Sequence, residues 1–143
     1  MLGRHDEALH AKRDVYSGFL KLVGEEHVNT SRAALNFAST LTELKRFKEA
    51  KPLLRKTVPV VRRVLGETHE TTLKMRWLYA RALFEDSAAA LDDLREVVTT
   101  LEDTERIARR VLGDTHPTTA GIEYDLQNTR AALRARETPS GSG

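Results

Sequence analysis

Apolar residues recur at three- and four-residue steps along most of this chain. In "TSRAALNFASTLTEL", Ala34, Phe37, Ala38, Leu41 and Leu44 fall on one side of a 3.6-residue period, the pattern of an amphipathic helix. "ETTLKMRWLYARALF" repeats it with Leu73, Trp77, Ala80, Leu83 and Phe84, and "FKEAKPLLRKTVPVVRRVL" with Ala50, Leu53, Leu54, Val58, Val61 and Leu65. The β-branched runs "TVPVV" and "VVTT" sit inside the helical period or are cut by proline, so no strand is expected. The pattern predicts six helices, at about 5–22, 29–44, 47–65, 71–85, 88–112 and 117–136, with boundaries good to roughly two to four residues. The closing "TPSGSG" has no apolar anchor and is expected to be disordered, placing a disordered tail at 138–143.

The pattern also repeats. "RRVLGETHETT" (62–72) and "RRVLGDTHPTT" (109–119) are identical at nine of eleven positions. A fainter copy, "VGEEHVNT" (23–30), aligns with "LGETHETT" (65–72) at a step of 42, and Ala38, Leu41 and Glu43 then meet Ala80, Leu83 and Glu85. From Gly66 to Gly113 the step is 47, so the later unit carries five extra residues. Self-similarity at such a period signals stacked supersecondary units. Each unit reads as two antiparallel helices, A then B: a half repeat at 3–24, repeats at about 25–66 and 67–113, and a capping helix at 117–136. The expected fold is all-α, a short solenoid of about six helices.

The doubled segment reads as a joint. Gly66 and Gly113 follow long helices, where glycine is free to take a left-handed conformation that closes the last turn. Arg62, Arg63, Arg109 and Arg110 sit where cations favour the negative end of a helix dipole. Thr68, His69 or Thr71 is placed to cap the next helix, and Pro117 suits a first turn, where a missing N–H costs nothing. The alternative is a metal site, because His69-Glu70 starts a His-Glu-x-x-His pattern. Leu73 occupies the place of the second histidine. His27, His69 and His116 are one repeat apart, on the roughly 10 Å scale of helix packing, whereas zinc ligands sit about 2.0–2.1 Å from one ion. No metal or cofactor is expected.

Helix pairs ending in Leu-Gly-x-x-His-Pro-x-Thr resemble tetratricopeptide repeats of the kinesin light chain kind. The joints "GRHDEA" (Gly3–Ala8) and "KRFKEA" (Lys45–Ala50), with the degraded "DSAAAL" (Asp86–Leu91), complete the likeness over about residues 3–136. The resemblance implies a right-handed superhelical stack whose A helices line a concave face that holds peptide. Carried onto this chain, that face has Arg32, Leu35, Ser39 and Thr42 in the first unit. Lys74, Trp77, Arg81 and Phe84 follow in the second, and Gly121, Tyr124, Asn128 and Ala131 in the third. Asn36 resembles the asparagine that holds peptide backbone in such repeats; Leu78 and Asp125 replace it in the other units, so there is no asparagine ladder. The row Leu35–Trp77–Tyr124, edged by Arg32, Lys74 and Arg81, suits an extended peptide with acidic and aromatic side chains. Trp77 has a second reading, as a filler between neighbouring helices.

Composition narrows the function classes. There are no cysteines, which removes disulfide, thiolate-zinc and cysteine-nucleophile chemistry. Aromatic residues are 6%, so the core must rest on Leu, Val and Ala. The net charge of +2 comes from interleaved charges rather than the dense basic stripe of a nucleic-acid binder. A binder built on Arg106, Arg109, Arg110 and Arg130 therefore ranks low, and no nucleic-acid partner is expected. No stretch approaches the roughly 18 apolar residues of a membrane span, and "MLGRHDEALH" turns polar at once; a cytoplasmic protein without membrane insertion is expected. No glycine-rich phosphate loop or Gly-x-Ser-x-Gly elbow is present, and pairs such as Asp92-Asp93 read as solvated charge. The sequence thus points to a non-catalytic scaffold or adaptor for a protein or peptide. The alternative is a structural subunit held by its helix faces.

Three irregularities carry further expectations. Pro59 should kink its helix, Pro52 being milder near the first turn. Five extra residues turn a helix by about 500°, so a break or bulge is expected near Thr99-Thr100, after a helix start capped by Ser87. Helix 5–22 lacks an A helix of its own, which suggests self-association or neighbouring repeats there.

Overall fold

The structure, a computed structural model, describes residues 2–86 and 89–138. Six helices follow one another: α1 (Leu2–Val23), α2 (Val28–Glu43), α3 (Phe47–Leu65), α4 (Glu70–Glu85), α5 (Leu91–Leu112) and α6 (Pro117–Glu137). There is no strand among the described residues. Each helix packs on the next in sequence, and α2, α4 and α6 also pack on one another in turn. The backbones of α1, α3 and α5 do not come close to one another. Short joints force antiparallel neighbours, and a layer whose members touch lies inside one whose members are apart. The A helices α2, α4 and α6 therefore form the inner layer of a helical repeat solenoid, and the B helices α1, α3 and α5 the outer one.

Two apolar clusters share α4. The first joins Leu9 and Tyr16 of α1, Ala34, Ala38 and Leu41 of α2, Ala50, Leu54 and Val61 of α3, and Met75 and Ala82 of α4. The second joins Leu73, Ala80 and Leu83 of α4 to Val97, Leu101 and Ala108 of α5 and to Ile122 and Leu126 of α6. One side of α4 thus faces back and the other forward. In α6 the backward-facing counterparts Ile122 and Thr129 are buried, whereas the forward-facing ones, Ala120, Gln127 and Arg130, are exposed. Helix α6 thus has a polar forward face.

Of the three expected caps His69 is the one used, and the glycines differ from expectation. The histidines are the caps: Nδ1 of His27, His69 and His116 accepts the N–H of Asn29, Thr71 and Thr118 at 3.0, 3.0 and 3.1 Å. One otherwise orphaned donor is satisfied at the start of each A helix. Gly66 and Gly113 have φ of 92° and 95° with ψ of 162° and 160°. That is positive φ with extended ψ, a region open essentially to glycine alone, and not the left-handed helical well. The left-handed position is Lys45, at φ 59°, between α2 and α3. The Arg46 N–H donates to the Leu41 carbonyl at 2.8 Å and the Lys45 N–H to Thr42 at 3.0 Å, the pair of bonds that glycine usually closes at a helix end.

Two further expectations are corrected. Gly3–Ala8 lies within helix α1 and makes no turn. Helix α5 runs unbroken through Thr99-Thr100. Two of the five extra residues lengthen the linker before α5 and three lengthen the helix at its start, so the register set by Gly113 is undisturbed. Leu101, Thr104 and Ala108 are buried just as Leu54, Thr57 and Val61 are, 47 positions earlier. Helix α3 runs through both Pro52 and Pro59 without a break, and both are exposed. The helix starts at Leu91 with Asp93 accepting the Ala90 N–H at 2.9 Å; Ser87, expected as its cap, and the tail from residue 139 lie outside the described residues.

Candidate functional site

The inner layer carries two grooves. Between α2 and α4, Leu35, Asn36 and Ser39 face Lys74, Trp77 and Leu78. This groove continues past Ser39, Thr42 and Glu43 toward Arg81 and Glu85. Between α4 and α6, Arg81, Phe84 and Glu85 face Tyr124, Asp125 and Asn128. Helical period explains the set: positions 35, 36 and 39, then 74, 77 and 81, then 124 and 128 fall on the side of each A helix turned away from its B helix.

The fold therefore gathers most of the residues read from the sequence. Leu35, Asn36, Ser39, Lys74 and Trp77 share one groove, and Arg81, Tyr124 and Asn128 share the other. Arg32 is exposed on α2, one turn before this set. Thr42 is buried and donates its hydroxyl to the Ala38 carbonyl at 2.9 Å, leaving it as a groove edge and not a contact. The row Leu35–Trp77–Tyr124 does not form one strip. Trp77 leans across to α6, where Nε1–H donates to Asp125 Oδ2 at 2.6 Å. A Cβ on Gly121 would stand 2.5 Å from Trp77 Cζ2, so the absence of a side chain at 121 is what admits the ring. Trp77 is thus an inter-repeat filler on one face and a groove wall on the other. Tyr124, its counterpart one repeat later, is 66% exposed, and no A helix follows α6 among the described residues.

The electrostatics of this face are more balanced than the sequence row suggests. Lys74 Nζ lies 3.3 Å from Glu70 and Arg81 Nε 3.6 Å from Glu85, each one helical turn away. Such exposed pairs are worth little, so the cations stay available at the cost of a weak local partner. The repeat register already puts Asp125 on this face, at the Asn36 position, but gave no sign of Glu70 and Glu85; the i, i+4 spacing of Glu70 to Lys74 and Arg81 to Glu85 is the signal that would have shown them.

Elsewhere the polar contacts join helices. Arg76 of α4 is 7% exposed and donates to Asp103 of α5 at 2.7 Å. That hydrogen bond is the first cause holding the Asp103 carboxyl below its ordinary range. The Tyr79 hydroxyl links Arg55 of α3 (3.3 Å) to Glu96 of α5 (2.8 Å), and burial pushes its pKa up. No described helix is long and apolar enough to cross a membrane.

No curated protein matches the chain. One family model does, that of the tetratricopeptide repeat, over residues 30–71. That segment is 42 residues long (71 − 30 + 1), the length of the internal step, and it runs from the first turn of α2 through α3 and the joint after it to the first turn of α4. Residues 30–71 are similar to a tetratricopeptide repeat, and the match supports a tetratricopeptide repeat protein, a class that generally mediates protein–protein interaction and is generally non-enzymatic.

Proposed function

We propose that the chain is an interaction scaffold that holds an extended peptide along the inner layer, over α2 and α4. The observation that carries this reading is the groove that sets Leu35, Leu78 and one face of Trp77 beside Asn36, Ser39 and Lys74. Apolar walls take a bulky side chain, the Asn36 amide pairs with peptide backbone, and Lys74 and Arg81 favour carboxylates at the rim. An acidic, aromatic-containing peptide of a partner protein fits these groups. The likeness to kinesin light chain repeats is part of the same reading, as is a cytoplasmic setting.

The experiment is a titration with acidic, aromatic-containing peptides from a display library, followed by Trp77 fluorescence and anisotropy. Leu35→Glu with Asn36→Ala should weaken binding at least about tenfold, the loss of roughly 1.4 kcal/mol or more expected of a central contact. Equal binding by this variant and the parent would overturn the reading. So would selected peptides that bind without moving the Trp77 signal.

A further inference from the structure

The outer face of α3 is unlike the rest of the molecule. The helix holds six basic residues against one acidic, whereas α5, its counterpart, holds four basic against six acidic. Lys48, Arg55 and Lys56 are exposed on one side, together with Pro52 and Pro59. The single acid, Glu49, is held by Arg46 at 2.5 Å. Arg62 and Arg63 are paired with Glu67 and Glu26. Among the described residues Lys48 and Lys56 make no ion pair, and Arg55 makes no direct ion pair but donates to the Tyr79 hydroxyl, with the carboxylates of Glu96 and Asp93 close enough to raise its pKa.

The prolines add a second feature to the same face. Neither supplies an N–H, so the carbonyls of Lys48 and Arg55, four residues earlier, lack their helical donors. These carbonyls are seven residues apart, two turns along one side of the helix and about 10 Å from each other. Cations and acceptor carbonyls therefore alternate along this row. We infer that the outer face of α3 binds an acidic, extended segment of a partner protein, its carboxylates on Lys48, Arg55 and Lys56 and its backbone N–H groups on the freed carbonyls.

The mixture of groups selects the partner. Phosphodiesters and phospholipid headgroup phosphates neutralise cations but donate nothing to a carbonyl. A polypeptide supplies both. The row also lacks the aromatic side chains on which bases stack. In polyproline-II geometry a segment shows the same face every third residue, about every 9 Å, with its backbone unbonded; that spacing is close to the separation of the two carbonyls. This surface is on the opposite layer from the groove over α2 and α4, and the inference stands apart from it.

The test uses the full chain and a fluorescein-labelled Glu-Gly-Ser repeat peptide at low salt. Lys48→Glu with Lys56→Glu should weaken binding about tenfold, since each exposed pair is worth a fraction of that and reversal adds repulsion. Pro52→Ala with Pro59→Ala keeps every charge and restores the two helical donors, so it should weaken binding several-fold while far-UV circular dichroism shows an intact helix. A peptide with sarcosine for glycine, which removes N–H donors, should lose affinity for the parent in the same way. The inference fails if the peptide does not bind or if charge reversal has no effect. It also fails if the proline variant and the sarcosine peptide bind as the parents do, or if poly-dT or phosphatidylserine vesicles bind more tightly than the peptide through the same lysines.

Discussion

At the scale of single residues, three side chains hold positions that residue preferences alone would have given to others. Histidine is not a favoured N-cap, yet His69 supplies the acceptor for Thr71. Replacing it with Ala should cost about 0.5–1 kcal/mol in urea unfolding, whereas Asn, which also accepts there, should restore most of that. Lys45 holds a left-handed φ that costs a non-glycine residue about 1–2 kcal/mol. Lys45→Gly removes that strain but adds freedom to the unfolded chain, worth about 0.4–1 kcal/mol. The net expectation is a gain of about 0.5 kcal/mol, seen as a small rise in the urea midpoint. Asp103 offsets an Arg76 guanidinium whose Nη1 has no hydrogen-bond partner among the described residues. Asp103→Asn should cost about 2 kcal/mol at neutral pH, less than the roughly 3–5 kcal/mol of a fully buried broken pair, because Asp103 is a third exposed. The carboxyl is held below its unfolded value. Its contribution is therefore complete above about pH 4 and lost as pH falls through the lower folded value. Stability of parent and variant should converge in that acid range when followed by urea denaturation.

At the scale of elements, periodicity was a reliable guide to existence and a poor one to accommodation. All six helices were legible because each buries a wide apolar stripe, and the repeat register placed Ala38 and Ala80 at the same buried position. The five-residue insertion was misread because helix geometry alone says that inserted residues rotate a face. It does not say that a linker absorbs two and a helix start the other three. Within the candidate site, Leu35, Asn36 and Lys74 came from the repeat register, but the reach of Trp77 to Asp125 did not, since it joins two units. Gly121 is the element-level key to that contact. Gly121→Ala places a Cβ against the indole, a clash of the kind that costs about 1–3 kcal/mol in packed sites. The expected outcome is loss of that stability in urea unfolding with a red shift of Trp77 emission, as the ring leaves α6. Unshifted emission with unchanged stability would show that the ring does not lie over residue 121.

At the scale of the whole molecule, the two apolar clusters are not two domains, because α4 contributes opposite sides to both. Met75 and Ala82 face the first cluster, and Leu73, Ala80 and Leu83 face the second. A repeat stack is stabilised by each unit and by its interface with the next, and here that interface runs through the interior of one helix. Loosening the first cluster must therefore loosen the back of the helix whose front supports the second. Leu54 is fully buried in the first cluster, and Trp77 packs against the second. Leu54→Ala should cost about 2–5 kcal/mol. If α4 couples the clusters, Trp77 fluorescence should report that loss in full, its urea midpoint moving with the far-UV circular dichroism midpoint as in a two-state domain. If the units unfold independently, the Trp77 curve stays at the parent midpoint while the circular dichroism curve splits in two. The first outcome is expected, because no described helix other than α4 packs against both clusters, and α4 cannot keep its forward face ordered with its backward face unpacked.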